Sequence, residues 1–293
     1  MAATPKAGGQ PIELTIGSIL MASALMVIVM LGSIQLKLGL EKSVLIGTIR
    51  TVAQLTLLGY VLSPIFQANQ PYFVLLYMLF MLLLAARESW ARPRFCYDGM
   101  FVRVLASQFS ATLVTCCWGL FLVLRIAPWW DAMHAIPITG MLLGNTISGI
   151  TLSNDYIMSE LVEQRARVER NLALGATMAE ATLSARQAAI RTGLTPMLNT
   201  MSVVGLVSIP GMMTGQILGG SPPLQAALYQ IMILFLIVFN VMVATTISVF
   251  FVVRAATDER GRIRKGFIRR RDKKAADVVT WAVSCLCACF RER

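Results

Sequence analysis

The sequence predicts an all-α, polytopic membrane protein with about seven transmembrane helices, and three observations carry that expectation. Apolar residues fill 56% of 293 positions and charged residues only 14%, against about 25% charged in soluble domains. The apolar residues gather into seven stretches, most of them near the roughly 20 residues a helix needs to cross the hydrocarbon core. None alternates polar and apolar residues with the period of two that a membrane β-strand requires, and lipid admits only helices and closed barrels. A water-soluble enzyme is excluded on the same grounds.

Residues 1–11 are small and polar and lack the basic segment of a cleaved signal peptide, so the first stretch, roughly 12–36, is expected to act as an uncleaved insertion signal. The second and third stretches cover about 44–66 and 71–87, the fourth and fifth 104–127 and 134–153, and the last two 195–219 and 224–253. The turns after the first and third carry Lys37, Lys42, Arg87, Arg92, Arg94 and Arg103. The long segment after the fifth carries Arg165, Arg167, Arg170, Arg186 and Arg191. The opposite turns at 67–70, 127–135 and 220–223 contain no Lys or Arg. Cytoplasmic loops attract the positive charge, so the N-terminus is expected outside and the C-terminus in the cytoplasm. Trp129-Trp130 fits an outer interfacial anchor. The same asymmetry explains the net charge of +11 without any nucleic-acid partner. The chain divides into a membrane domain, 1–253, which contains a cytoplasmic loop at 154–193, and a basic tail, 254–293. No internal repeat is visible.

Polar and small residues inside the apolar stretches are the candidate working parts. Arg50 sits near the cytoplasmic end of the second stretch, where its stem can snorkel, and Gln54 lies one turn further along the same face. In the fifth stretch Gly140 and Gly144 form a small-xxx-small step that permits close helix packing. Asn145 and Ser148 share a face there; they either line a polar path or bond between helices. In the sixth, Gly211, Gly215 and Gly219 recur every four residues as a packing stripe. Pro210 removes a backbone donor and should kink or break the helix. Met212, Met213 and Gln216 flank that stripe. Thioether sulfur is a soft ligand, so the two methionines either touch cargo or simply pack, like many of the 17 methionines in the chain. The lone His134 cannot build a metal cluster, and the six cysteines show no zinc-finger spacing.

The polar segment from Asn154 to Arg191 reads as two helices. Ile157, Leu161, Val168 and Leu172 recur at helical spacing, so the fifth span should continue outward until Gly175 interrupts it. Thr177 can cap a second helix, with Glu180 in capping-box register, and that helix should end near Gly193 and Pro196. A helical hairpin this polar is expected to receive a docked partner.

Glu169 followed six residues later by Gly175 resembles the EAA-type loop of ATP-binding-cassette (ABC) permeases, although Arg170 and Asn171 stand where that loop carries alanines. A longer resemblance runs through 50–55, 144–150, 174–177 and 203–218, the last reading Val-Val-Gly-Leu-Val-Ser-Ile-Pro-Gly-Met-Met-Thr-Gly-Gln-Ile-Leu. These segments are similar to the FetB-type permeases, membrane subunits of a bacterial ABC system linked to iron export, with plant relatives tied to aluminium tolerance.

The resemblance implies ATP-driven export by two permeases and two ATPase subunits. Glu169, Gly175, Ala176 and Thr177 would meet the motor, and Arg50, Gln54, Asn145, Ser148, Pro210, Met212, Met213 and Gln216 would lie along the pathway. The chain itself lacks a phosphate-binding Gly-x-x-x-x-Gly-Lys-Ser/Thr loop. It is therefore expected to be no enzyme and to hold no cofactor, with ATP and magnesium in the partner subunit. The alternatives are an ABC permease for a nucleotide sugar, an ion-driven secondary transporter or channel, and a non-transporting membrane scaffold.

In the tail, the basic residues around Arg260–Lys274 should attract anionic lipid. Cys285, Cys287 and Cys289 are candidates for acylation.

Overall fold

The computed structural model describes residues 16–125, 128–257 and 266–271. The expected insertion signal begins outside this set. Most of the tail cluster and Cys285, Cys287 and Cys289 also lie outside it.

The described chain is a helical bundle. It comprises α1 (Ile16–Gln35), α2 (Glu41–Ala68), α3 (Pro71–Ala91), α4 (Met100–Cys117, prolonged by a π-helical stretch Trp118–Val123), α5 (Ala132–Glu163), α6 (Arg165–Ala173), α7 (Met178–Ala181), α8 (Leu183–Val203), α9 (Gly211–Leu218) and α10 (Pro223–Ala256). Five of these elements, α2, α3, α4 with its prolongation, α5 and α10, are long and apolar enough to cross a membrane. The first expected span contributes a shorter apolar helix, Met21–Gln35.

The sixth expected span is not one helix. It is shared between α8 and α9, with a non-helical interruption at 204–210. Pro210 stands at the N-cap of α9 with φ −61° and ψ 141°. The break opens well before it, because Gly205 takes a left-handed φ of 86°. The second loop helix runs the other way from expectation. Instead of stopping near Gly193 and Pro196, α8 passes through both and ends at Val203.

The physical reason lies at Gly193. An added Cβ there would come within 2.7 Å of the Gly149 carbonyl oxygen and 3.1 Å of Ser153 Cβ. The bare glycine lets α8 lie directly on α5, and this contact outweighs the weak helix propensity of Gly and the backbone bond missing at Pro196.

Packing fixes the remaining order. Helices α5 and α10 run parallel. Thr146 pairs with Asn240 and Asn154 with Ser248, each pair 94 positions apart. Helix α4 runs against them and brings Thr115 to the same Asn240. One apolar core joins α5, α8 and α10 near the arginine-rich end through Ile157, Met158, Leu161, Ala185, Ala189, Val249 and Val252. A second, nearer the arginine-poor end, gathers Ile136, Ile138, Leu142, Met197, Ile233 and Ile237. Asn154, read from sequence as the start of the loop, is fully buried inside the bundle. The polar hairpin proper begins only after Glu163.

At the arginine-rich end two short strands pair antiparallel, Phe95–Cys96 (β1) with Arg269–Arg270 (β2). Arg271 lies over the Trp90 ring at 4.4 Å and donates to the Trp90 carbonyl at 2.8 Å. Tyr97 packs on Phe267 with ring centroids 5.5 Å apart, and burial pushes its phenol up to about 12. Part of the basic tail is thereby folded back onto the α3–α4 turn, a docking that composition did not suggest.

Candidate functional site: a capped elbow and an open polar face

The hairpin after α5 is built by local hydrogen bonds. Gln164, at φ −102° and ψ 24°, sets a jog between α5 and α6. Val168 then turns back into the arginine-rich core. Helix α6 stops in a Schellman arrangement, in which the Ala176 N–H donates to the Asn171 carbonyl at 3.1 Å and the Gly175 N–H to the Leu172 carbonyl at 3.0 Å. Gly175 occupies the left-handed position that ends the helix, with φ 91°.

Two residues on, Thr177 starts α7. Its hydroxyl accepts from the Glu180 N–H at 3.3 Å, and its own N–H donates to Glu180 Oε2 at 2.8 Å. This is the reciprocal capping box expected from the spacing. Glu169 is exposed and pairs with Arg165 one turn earlier, at 2.6 Å. The result is a rigid, solvent-facing corner with Leu174 at its tip, 81% exposed.

Thr177's backbone and hydroxyl bonds favour the ionised carboxylate and hold Glu180 below the usual glutamate range. A folded pKa lowered in this way contributes stability above the unfolded value and loses it as pH falls through the folded one. Backbone protection at 178–182, the exchange rate relative to that of an unstructured chain at the same pH, is therefore expected to fall as the pH drops below the ordinary glutamate range. In Glu180→Ala that protection should already be low at neutral pH and should change little on acidification.

The candidate pathway residues fall in three places. Arg50 Nη2 meets Glu88 Oε1 at 2.7 Å, and the same carboxylate takes Arg87 at 3.3 Å and Arg92 at 3.5 Å. Arg50 thus ties α2 to α3, while Gln54 is exposed one turn away. Asn145 and Ser148 are exposed on one side of α5, next to an equally exposed Gly144. Asn145 donates to the Met141 carbonyl of its own helix at 2.9 Å. Met212 is half-buried and packs against the arginine-poor core, and Met213 is half-buried beside it. Gln216 lines a shallow depression with Val123, Gln225, Tyr229 and Met232. The interior side of α9 therefore carries Met212 and Gln216, and its outer side carries glycine.

The glycines divide as well. Gly140 approaches α3, where an added Cβ would lie 3.0 Å from Met81 Cε. Gly144, Gly211 and Gly215 have nothing within 4 Å of that position, and Gly219 meets only carbonyls of its own segment. Within the chain, close helix packing is made at Gly119, Gly140, Gly149 and Gly193 rather than along the α9 stripe.

Sequence reasoning also passed over Asn240, which is fully buried. It donates to Thr146 Oγ1 at 2.7 Å and to the Leu142 carbonyl at 3.4 Å, and Thr115 Oγ1 lies 3.1 Å from its carbonyl oxygen. The signal was present, since Asn240 is the sole polar side chain between Gln230 and Thr245. Polar groups in such runs face the bundle interior. At the arginine-rich end Arg94 clamps Asp155 through its backbone N–H at 2.8 Å and its Nε at 2.9 Å. Among the described residues no three His, Cys, Asp or Glu side chains gather as a metal-holding group.

These features define an integral, multi-pass α-helical membrane protein with a rigid polar corner projecting from its arginine-rich end. The chain belongs to the family described as uncharacterised protein family UPF0014, whose model matches residues 16–257. It is 38% identical over 191 residues to the UPF0014 membrane protein slr1647 of Synechocystis, covering 65% of this chain and 74% of that one. It is 30% identical over 251 residues to the probable iron export permease protein FetB of Escherichia coli, covering 86% and 95%. Protein ALUMINUM SENSITIVE 3 of Arabidopsis thaliana is 35% identical over 237 residues, covering 79% and 83%. No solved structure matches.

Proposed function

We propose that this chain is the membrane subunit of an ABC exporter that moves a metal ion such as iron, driven by a separate ATPase subunit that docks on the 174–180 corner. The carrying observation is the corner itself. A Schellman stop and a capping box lie back to back and hold Leu174 out in solvent. An exposed leucine on a pre-ordered tip presents an apolar knob to a cleft, and rigidity of the tip lowers the entropy cost of binding.

The resemblance to the FetB-type permeases and the name of the Escherichia coli relative support an export role and an iron-like cargo. Positive charge at the corner end favours a cytoplasmic placement. Helix α8 links the corner to the bundle interior at Gly193, so a pull on the tip is transmitted to α5 and α10. In this reading two copies of the chain serve two ATPase subunits. The open side of α5 carrying Asn145 and Ser148 faces the cargo route.

The test is reconstitution in proteoliposomes with a candidate ABC ATPase subunit from the same organism, reading ATP hydrolysis and metal flux. Leu174→Asp is expected to weaken ATPase association at least tenfold while leaving the thermal transition of the isolated membrane subunit in place. Undiminished association and coupling in Leu174→Asp would overturn the docking role. Flux that persists without ATP would overturn the motor-driven reading.

A further inference from the structure

The α8–α9 interruption carries the two most exposed large apolar side chains among the described residues. Leu206 is 90% exposed and Val207 83%, with Ile209 and Leu218 exposed beside them. The segment satisfies only part of its own backbone. The Leu206, Val207 and Ser208 N–H groups all converge on the Val203 carbonyl, and Gly205 donates to Ser208 at 2.9 Å. The carbonyls of Gly205, Leu206 and Val207 accept no hydrogen bond among the described residues.

The depth of the interruption follows from helix geometry. From Gly193, which touches Thr245 of α10, α8 climbs about 16 Å to Val204. From the same level α10 reaches about 33 Å to its start at Pro223. The break therefore sits about 17 Å short of the end of α10, inside the apolar layer, and Val204 packs on the core there.

Three media could cover this surface, and physical chemistry separates them. Lipid offers no donors, and irregular backbone at membrane depth is tolerated only against protein or a water-filled cavity. Water would satisfy the carbonyls but would hydrate three neighbouring aliphatic side chains at unusual exposure. Protein can satisfy both requirements, because the Gly211, Met212 and Met213 N–H groups at the start of α9 have no acceptor among the described residues and a second copy would bring the same donors to these carbonyls. The patch also carries its own complement: Leu206, Val207 and Ile209 project as knobs, while Gly205, Gly211 and Gly215 leave open space where side chains would stand. A surface with knobs and hollows of its own is suited to an isologous contact, in which the same patch meets itself across a two-fold axis.

We propose that 204–215, the break and the first turns of α9, is the seam through which a second copy of this chain docks in the membrane. This deepens the two-copy part of the reading above by naming its surface, and it does not depend on ATP or on cargo. In the seam the two Leu206 side chains meet at the two-fold axis, and Val207 and Ile209 of each copy enter the glycine hollows of the other.

The experiment uses the full-length chain with its six cysteines replaced by alanine, in vesicles without nucleotide. Leu206→Cys is oxidised, with Val114→Cys on α4, an exposed position on a different helix, as the comparison. The expected result is a disulfide-linked dimer for Leu206→Cys at least five times more abundant than for Val114→Cys. Adding Gly215→Leu should cut that dimer by at least fivefold, although the site is open within one chain and the monomer's thermal transition should stay put.

Equal linking at both positions overturns the proposal, as does linking that Gly215→Leu leaves unchanged. Ready labelling of Leu206→Cys by a membrane-impermeant maleimide without linking also overturns it, in favour of a water-filled route. Subunit counting by single-molecule photobleaching on the wild-type chain, cysteines intact, separates the two levels. Dimers that form without the Leu206 link leave the two-copy reading standing and sink the seam. A protein that counts as monomer sinks both. The ATPase-docking assay of Leu174→Asp is independent of either outcome.

Discussion

Gly193→Leu is expected to be the most damaging single substitution in the bundle. At this position α8 crosses α5 with no side chain between them, and an added Cβ would stand 2.7 Å from the Gly149 carbonyl oxygen and 3.1 Å from Thr245 Cγ2. The first obstacle is backbone and cannot rotate away, so the helices must separate. Overpacking in a close-packed interior costs about 1–3 kcal/mol even where side chains yield. With a rigid backbone obstacle the loss should reach about 3 kcal/mol or more, lowering the Tm in detergent by roughly 6–12 °C at 2–4 °C per kcal/mol.

Gly149→Leu should also destabilise, because Val241 Cγ1 would lie at 2.6 Å, but to a lesser degree, since the backbone obstacle there, the Gly193 carbonyl oxygen, stands further off at 3.3 Å. Gly144→Ala, with nothing within 4 Å, should leave the Tm unchanged or slightly raised through better helix propensity. A Tm for Gly193→Leu within 2 °C of wild type would show that α8 and α5 are not locked there. If α8 carries force from the corner, Gly193→Leu should also uncouple ATP hydrolysis from flux in the fraction that remains folded.

The second large effect is expected at Asn240, where the size depends on what replaces it. Asn240→Leu removes the bonds to Thr146, Leu142 and Thr115 together. Because Thr146 and Thr115 each retain a bond to a carbonyl of their own helix, few groups are orphaned. Interhelix polar bonds in membranes average about 0.6 kcal/mol and reach about 1.7, so the loss should stay near 1 kcal/mol.

Asn240→Asp keeps the shape but exchanges the amide donor for a carboxyl at a fully buried site. An ionisable group at mid-helix costs about 2.5–3.5 kcal/mol on insertion scales, so Asp should lower the Tm several degrees further than Leu. The difference should narrow in acid, where the neutral carboxylic acid can again donate to Thr146. Thermal unfolding of the two variants at neutral and acid pH checks the order. If Leu proved the worse of the two, the polar knot would be contributing far more than typical interhelix bonds.

Particular residues show what was legible in advance. Gly175, Thr177 and Glu180 could be placed from spacing alone, because their partners lie within five positions in the chain and the bonds that order them are local. The break near Pro210 was legible in kind, since proline removes a donor wherever it falls. Its length was not, because it opens at Gly205 and ends only where α9 can restart.

Gly149 and Gly193, which spacing did not single out, make a close helix contact within the chain, while Gly144, Gly211 and Gly215 face open space there. A small residue permits close approach, but which face of a helix turns inward depends on its neighbours. Asn154 looked like the first residue of a polar loop and proved buried beside Ser248. One asparagine among apolar residues can be a helix end or an internal bond, and only the partner distinguishes them.

By itself the chain determined its class and its punctuation. Apolar stretches of bilayer length leave no other soluble or membrane fold open, and glycine, proline and capping residues act through bonds a few positions away. The tertiary structure alone decided how the helices turn about their axes. Contacts such as Gly149 with Gly193, or Thr146 with Asn240 at 94 positions' separation, arise from the simultaneous fit of several helices. In so uniformly apolar a sequence the hydrophobic pattern does not point to one face.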